Sequence, residues 1–419
     1  MLRKMVLTNF QSFDNIELNL SGKSGIIKNN AFIYGENGSG KSNIINSLVL
    51  LLISAGRIRK MEGSTQEMMP GMMDEEPMNV EARRLHMIGS DENMSMTFEF
   101  RIDGGDNTYS MSFDKKGILV SERLDCKVNK RKGRLFEINN AGLFYMSRGL
   151  IKDKRVREKI RGDVRQYWGQ RSFIRIMQDE IRKSNIDYMT GVLNANLFRF
   201  HKYLDGICVK SMSYQIGDSN AVFLPNGKIK VAHEKKLDAI ERVLSKFFSR
   251  LYTDVVDAYF DKKVEDDVLE YELFFKKRIA GVVRDIPVKM ESTGTKRMMD
   301  NLQYILACVG GSCVFVDEID IGVHDLLISG VLEQAIPDIG GQLIATTHNT
   351  SLMESLAAES VYIIGVDRNG FKKIYTAASK GVRSTNNTRH KYLVGDLDGV
   401  PYISDLGLPG LYSMINGEE

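Results

Sequence analysis

Apolar and polar residues alternate along residues 2–9 and 15–20, the period of strands with one face buried. Ala31 to Tyr34 is a short apolar run that stops at Gly35, and helical spacing follows from Lys41 to about Ile53. Strand, glycine-rich turn and helix thus stand in direct succession. From Arg57 to Pro77 the pattern dissolves into a Met-rich stretch with acids, glycines and no clear period. Two readings stand for it: a mobile surface loop and an adaptable binding surface. Strand-like runs return from Met94 to about Ile138, divided by Gly, Asp and Asn. Residues 152–206 and 233–260 read as helices, and a strand pair over 268–276 and 280–289 leads into Glu291-Ser292-Thr293-Gly294. Beyond it the pattern predicts helix 295–308, strand 313–316, helix 323–335, strand 342–346, helix 350–357 and strand 360–364. Strands alternating with helices imply a mostly parallel sheet covered on both faces.

Composition narrows the class. The chain has 419 residues, 43% of them hydrophobic, so it can bury a sizeable core. Its 57 basic and 54 acidic residues nearly cancel, which does not mark a dedicated nucleic-acid binder. Cys126, Cys208, Cys308 and Cys313 are widely spaced with no Cys-x-x-Cys pair, as reduced thiols of a cytosolic protein are. The N-terminus lacks a long apolar stretch, and the most apolar run, Ile44 to Ala55, falls short of the roughly 20 residues that span a bilayer. The expectation is a cytoplasmic protein with no membrane contact.

The chemistry concentrates at three places. Gly35-Glu-Asn-Gly-Ser-Gly-Lys41-Ser42 matches G-x-x-x-x-G-K-[ST] in full. Glycines let backbone N–H groups converge on phosphate oxygens at a helix N-terminus, where the dipole favours negative charge. Residues Gly35, Asn37, Gly38, Ser39, Gly40, Lys41, Ser42 and Asn43 would cradle ATP, with Lys41 on the β- and γ-phosphates and Ser42 on Mg²⁺. The second place is Asp317-Glu318, two acids ending the apolar run Cys313 to Val316. Asp317 would complete the Mg²⁺ shell and Glu318 would orient or deprotonate the attacking water. The third is His348, just past the next strand, where it could reach the γ-phosphate or simply cap a loop. His324 has two readings, a dimer contact and the start of the following helix. Residues 1–56 and 265–419 then read as two halves of one nucleotide-binding domain. Residues 57–150 add the Met-rich loop and antiparallel strands, and 151–264 an inserted helical region.

GENGSGKS, ESTGTKRMM, VFVDEID and ATTHN, in that order, resemble ATPases of the ABC/SMC/DNA-repair class, as does the opening VLTNFQSF. Within that class the chain is most similar to bacterial abortive-infection ATPases, the AAA-type group of RloA-like, AbiLi-like and AriA-like proteins. Arg389 to Ile403 resembles the tail of that group. The likeness covers most of residues 1–50 and 265–407. It implies an α/β, P-loop ABC/SMC-type ATPase head with a mixed, largely parallel sheet and an inserted helical region. It further implies homo-oligomers built on head-to-head dimers with ATP sandwiched between subunits. Ser292 and Gly294 of one subunit would face the phosphate loop of the other; in a single chain, Ser292 is sufficiently explained as a helix N-cap. A separately encoded effector, frequently a TOPRIM nuclease, is the implied partner, in an antiphage defence role. The alternative is a DNA-binding repair or structural-maintenance ATPase.

Two departures stand out. Gln11 occupies a place where related ATPases often carry a basic residue near the phosphates. No glutamine is evident to complete the Mg²⁺ shell, Gln66 lying inside the Met-rich stretch. Residues 127–134 and 152–183 are rich in Lys and Arg, interleaved in the second segment with Tyr167, Trp168 and Phe173. Three readings remain for them: a solvated or interdomain face, a protein-partner surface and, least favoured, a nucleic-acid track. Asp396-Leu-Asp398 has a two-acid spacing used by metal nucleases, but reads better as part of an ordered tail.

Overall fold

The computed structural model describes residues 1–22, 25–57, 76–128, 131–217, 223–383, 387–400 and 408–416. The Met-rich stretch, with Gln66, lies outside the described residues but for its ends. The chain divides into two compact units, one of residues 202–349 and one of residues 2–201 with 350–419.

In the second unit, seven strands form an antiparallel sheet, in the order Phe13–Asn19, Leu2–Phe10, Met94–Ile102, Gly105–Phe113, Leu119–Val128, Arg131–Asn139 and Phe144–Met146. The alternation read over residues 2–9 is a one-sided burial, with Leu2, Met5, Leu7 and Phe10 turned inward. Strand Asn30–Tyr34, buried at all five positions, pairs in parallel with Val361–Val366, which pairs antiparallel with Lys372–Thr376. Helix Lys41–Ser54 follows the first of these. Its residues Leu48 to Leu52 are fully buried, the mark of a core helix rather than a surface one. Burial of each such leucine contributes about 1.5–3 kcal/mol.

The first unit holds strands in the order Gln215–Ile216, Ile207–Lys210, Cys313–Val316 and Gln342–Thr346, the last three parallel. Helices Thr293–Val309 and Asp325–Ala335 precede and follow Cys313–Val316. A separate four-stranded antiparallel sheet is built from Asn226–Lys230, Val255–Glu265, Val268–Ile279 and Val282–Pro287. The molecule is therefore α/β with mixed sheets, as expected.

Three local expectations need correction. The helix placed over 233–260 ends at Leu251; Tyr252 is extended, and Val255–Glu265 is a strand whose inward residues Val255, Ala258 and Phe260 follow sheet rather than helix spacing. The helical run 152–206 is four helices, Lys154–Tyr167, Phe173–Lys183, Ile186–Val192 and Ala195–Asp205. The second and third are restarted by the N-caps Ser172 and Asn185. Residues 350–354 form a 3₁₀ turn instead of a helix over 350–357.

Candidate functional site

The phosphate loop is positioned by the buried strand Asn30–Tyr34 and closes onto the first turn of helix Lys41–Ser54. Gly35 has φ 152°, and a β-carbon there would sit 2.7 Å from Ser39 Oγ and 3.0 Å from the Ile364 carbonyl oxygen. Gly40, the helix N-cap, has φ 102°, and a β-carbon would meet the Phe13 ring at 2.5 Å. Both positions admit glycine alone without displacement. Lys41 is buried, and its Nζ donates to the carbonyl oxygens of Gly35 (2.9 Å) and Glu36 (3.1 Å). The ammonium is thus folded back on two carbonyls of its own loop. Ser39 Oγ is buried with no hydrogen-bond partner, an unmet polar group of the kind a bound phosphate satisfies. Asn37 and Gly38 are exposed at the crown, and Asn43 Nδ2 donates to Ser12 Oγ (2.9 Å).

In the other unit, Asp317 and Glu318 end the buried strand Cys313–Val316 and converge on Thr346. Thr346 Oγ1 donates to Asp317 Oδ1 (2.6 Å) and accepts the Glu318 N–H (2.7 Å), while its carbonyl accepts the Ile319 N–H (3.1 Å). Glu318 has φ 50°, left-handed backbone that an acidic side chain rarely adopts. Asp317 is 8% exposed and Glu318 half-buried. His348 is exposed, its backbone N–H donating to Asp320 Oδ2 (3.1 Å); Asp320 Oδ1 is buried without a hydrogen-bond partner. His324 Nδ1 accepts the Leu326 N–H (3.3 Å), which supports the helix-start reading.

Ser292 is the N-cap of helix Thr293–Val309, its Oγ accepting the Thr295 N–H (3.1 Å). A β-carbon on Gly294 would lie 3.0 Å from the Gly322 carbonyl oxygen, so glycine lets this helix start press against the turn after Glu318. Two residues absent from the sequence reading join the set. Lys210, on the strand beside Cys313–Val316, is buried and donates to Asn301 Oδ1 (2.6 Å), and Asn301 Nδ2 donates to the Ile319 carbonyl (2.7 Å). The Lys210 carbonyl accepts the Asp317 N–H (2.7 Å). Burial pushes the Lys210 ammonium down to about 8, with Asp300 opposing and Arg297 adding to the shift. The second is Lys372, beside the phosphate loop. Neither carries a motif; only pairing of their strands brings them into place.

The Ser42 hydroxyl and the Asp317 carboxylate are each hard oxygen donors of the kind Mg²⁺ takes, an ion commonly held by one or two carboxylates together with substrate phosphates rather than by a full protein cage.

The basic helices are engaged internally in part. Arg171 pairs with Glu76 (2.5 Å) and lies over the Tyr167 ring, Arg175 pairs with Asp179 (3.1 Å), and Lys159 pairs with Glu180. Trp168 Nε1 donates to the buried Glu122 (2.9 Å), and Phe173 is fully buried. At the tail, Asp398 accepts from Lys380 (3.0 Å) and Tyr375 (2.9 Å), which supports the ordered-tail reading. Among the described residues all four cysteines are buried free thiols, and no helix is long and apolar enough to cross a membrane.

Among solved structures, the chain is similar to an SMC head bound to the C-winged helix domain of ScpA (TM-score 0.44, 16% identity, 90% of this chain and 97% of that one). It is also similar to the SMC head domain from Thermotoga maritima (TM-score 0.39, 15% identity, 90% and 98%). A third is the Smc head domain with an extended coiled coil from Pyrococcus furiosus (TM-score 0.43, 14% identity, 90% and 96%). No curated protein matches the chain in sequence. The family model described as AAA domain matches residues 4–251, more than half of the chain and all of the phosphate loop, and the chain therefore belongs to this family of P-loop ATPases.

Proposed function

We propose that the chain binds Mg²⁺-ATP at Gly35 to Asn43 and hydrolyses it with Asp317 and Glu318. It would do so as the sensor or scaffold subunit of a bacterial antiphage, abortive-infection type system that works with a separate toxic effector, a TOPRIM nuclease. The ATP part is carried by one observation: the buried Ser39 hydroxyl has no hydrogen-bond partner at the loop whose Gly35 and Glu36 carbonyls hold the Lys41 ammonium. When bound, Mg²⁺ supplies charge neutralisation at the phosphates, with Ser42 and Asp317 as its protein ligands. Lys41 turns to the β- and γ-phosphates and the loop amides hold the remaining oxygens. Thr346 keeps Asp317 oriented, and Glu318 accepts the proton of the attacking water. His348 would reach the γ-phosphate, and Ser292 and Gly294 would close the site from a second subunit in an ATP-sandwich dimer.

The defence role rests on the resemblance of the motifs and tail. A second reading, a DNA-binding repair or structural-maintenance ATPase, is favoured by the exposed Lys154, Arg155, Arg161 and Arg165 on helix Lys154–Tyr167. Against it, the longest helix among the described residues is the 18-residue Glu234–Leu251, far short of a coiled-coil arm. Co-purification with products of adjacent genes, together with ATPase assays with and without duplex DNA, separates the two. Recovery of a nuclease-like partner supports defence; strong DNA stimulation with no partner supports repair and overturns the first reading.

A further inference from the structure

Lys372 opens the strand Lys372–Thr376, some 330 residues after the phosphate loop in the chain. The pairing of that strand with Val361–Val366, and of the latter with Asn30–Tyr34, returns it to the loop within one unit. Its Nζ donates to the Gly38 carbonyl oxygen (2.6 Å) and to Ser12 Oγ (2.6 Å), and lies 5.8 Å from the centre of the Phe13 ring. Only 8% of the residue is exposed. Ser12 in turn accepts from Asn43, and the Phe13 ring fills the space beside Gly40. One ammonium therefore ties the crown of the loop to the turn between strands Leu2–Phe10 and Phe13–Asn19. At that turn Gln11 is neutral, its Oε1 accepting from Asn46 Nδ2 (3.4 Å).

We propose that Lys372 is a positioning residue of the nucleotide site. It fixes the crown of the loop through Gly38 and adds a second positive charge, after Lys41, to the field that attracts the phosphates. Burying a lysine costs free energy unless its charge is used, and here its two acceptors are neutral oxygens. Burial pushes its pKa down, and the charge of Glu36, in the loop itself, opposes that shift. A charge held so close to the crown by neutral partners remains available to an anion.

This inference rests on the ATP reading, and the test separates the two. ATP affinity is measured by titration calorimetry across a salt series for the wild-type chain and for Lys41→Ala, Lys372→Met and Lys372→Arg, with thermal melts of each nucleotide-free protein. Expected for Lys372→Met is affinity lower by about tenfold, as for loss of a hydrogen bond to a charged group. Its salt dependence should also be shallower, because one screened charge has gone. Lys372→Arg should keep the wild-type salt dependence. A purely structural role would lower the melting temperature and leave the salt dependence unchanged, which overturns the proposal, as does unaltered affinity in Lys372→Met. If Lys372→Met does not fold, Lys372→Gln, which keeps a donor without the charge, decides on the same criteria. No ATP binding by the wild-type chain overturns the ATP reading and this inference with it.

Discussion

Thr346 Oγ1 donates to Asp317 Oδ1 at 2.6 Å and at the same time accepts the N–H of Glu318 at 2.7 Å. One hydroxyl on strand Gln342–Thr346 thereby holds the Asp317 carboxylate and the Glu318 backbone at the end of its neighbour. Thr346→Val keeps the shape and removes both bonds. The expected result is a loss of about 1–3 kcal/mol in stability, since the Glu318 N–H loses its acceptor, with a much larger fall in kcat than in ATP affinity. Denaturant unfolding and steady-state phosphate release measure the two effects. A variant with wild-type kcat would remove Thr346 from the positioning of the acids.

Glu318→Gln is the sharper test of the chemistry. The amide keeps size and polarity but cannot accept a proton from water. ATP affinity should stay within about threefold while turnover falls by about 10²–10⁴, the usual worth of general base catalysis. Unchanged hydrolysis would exclude Glu318 from the mechanism.

What was legible in the sequence was whatever combined a strict local pattern with a short span. The phosphate loop declares itself because its glycines, lysine and serine must be contiguous, and Gly35 and Gly40 show why: side chains there would strike Ser39, Ile364 or Phe13. Asp317-Glu318 was visible as acids ending a buried strand. Lys210 and Lys372 were not, because their meaning comes from strands paired across long stretches of chain, Ile207–Lys210 with Cys313–Val316 and Lys372–Thr376 with Val361–Val366. The missed strand Val255–Glu265 was absorbed into the preceding helix because its apolar residues continue those of the helix without Gly or Pro between them. Among the basic helices, composition showed the charges but not Glu76 or Glu122, the acids that engage Arg171 and Trp168.

Gly40→Ala should be damaging out of proportion to its size. The substitution demands φ 102° of an L residue and drives a methyl to 2.5 Å from the Phe13 ring. Strain of about 1–3 kcal/mol is expected at such a backbone, before any movement of the ring. The measurable outcome is a lower melting temperature with ATP affinity reduced at least tenfold. Phe13→Leu in the same chain should recover part of the stability by vacating the space, but none of the cost of the backbone angle. Full recovery would show that the ring contact alone was responsible.

Lys210 makes a pH prediction whose sign follows from burial. Its folded-state pKa, about 8, lies below the ordinary 10.5, because burial disfavours the ammonium. For a depressed group, stability is fully present above the unfolded value and is lost as pH falls through the folded one. The wild-type chain should therefore gain stability relative to Lys210→Met as pH rises from 7 to 9.5, by on the order of 2 kcal/mol. The absolute effect of Lys210→Met at pH 7 mixes two opposed terms, relief of a buried charge and loss of the donor to Asn301 Oδ1, whose amide also holds the Ile319 carbonyl. The pH-dependent difference isolates the first term, because the packing loss does not titrate. Urea unfolding of both proteins at the two pH values gives that difference directly. Parallel stability curves would mean that Lys210 titrates near its ordinary value, so that the ammonium is solvated in the folded chain instead of being enclosed against Asn301.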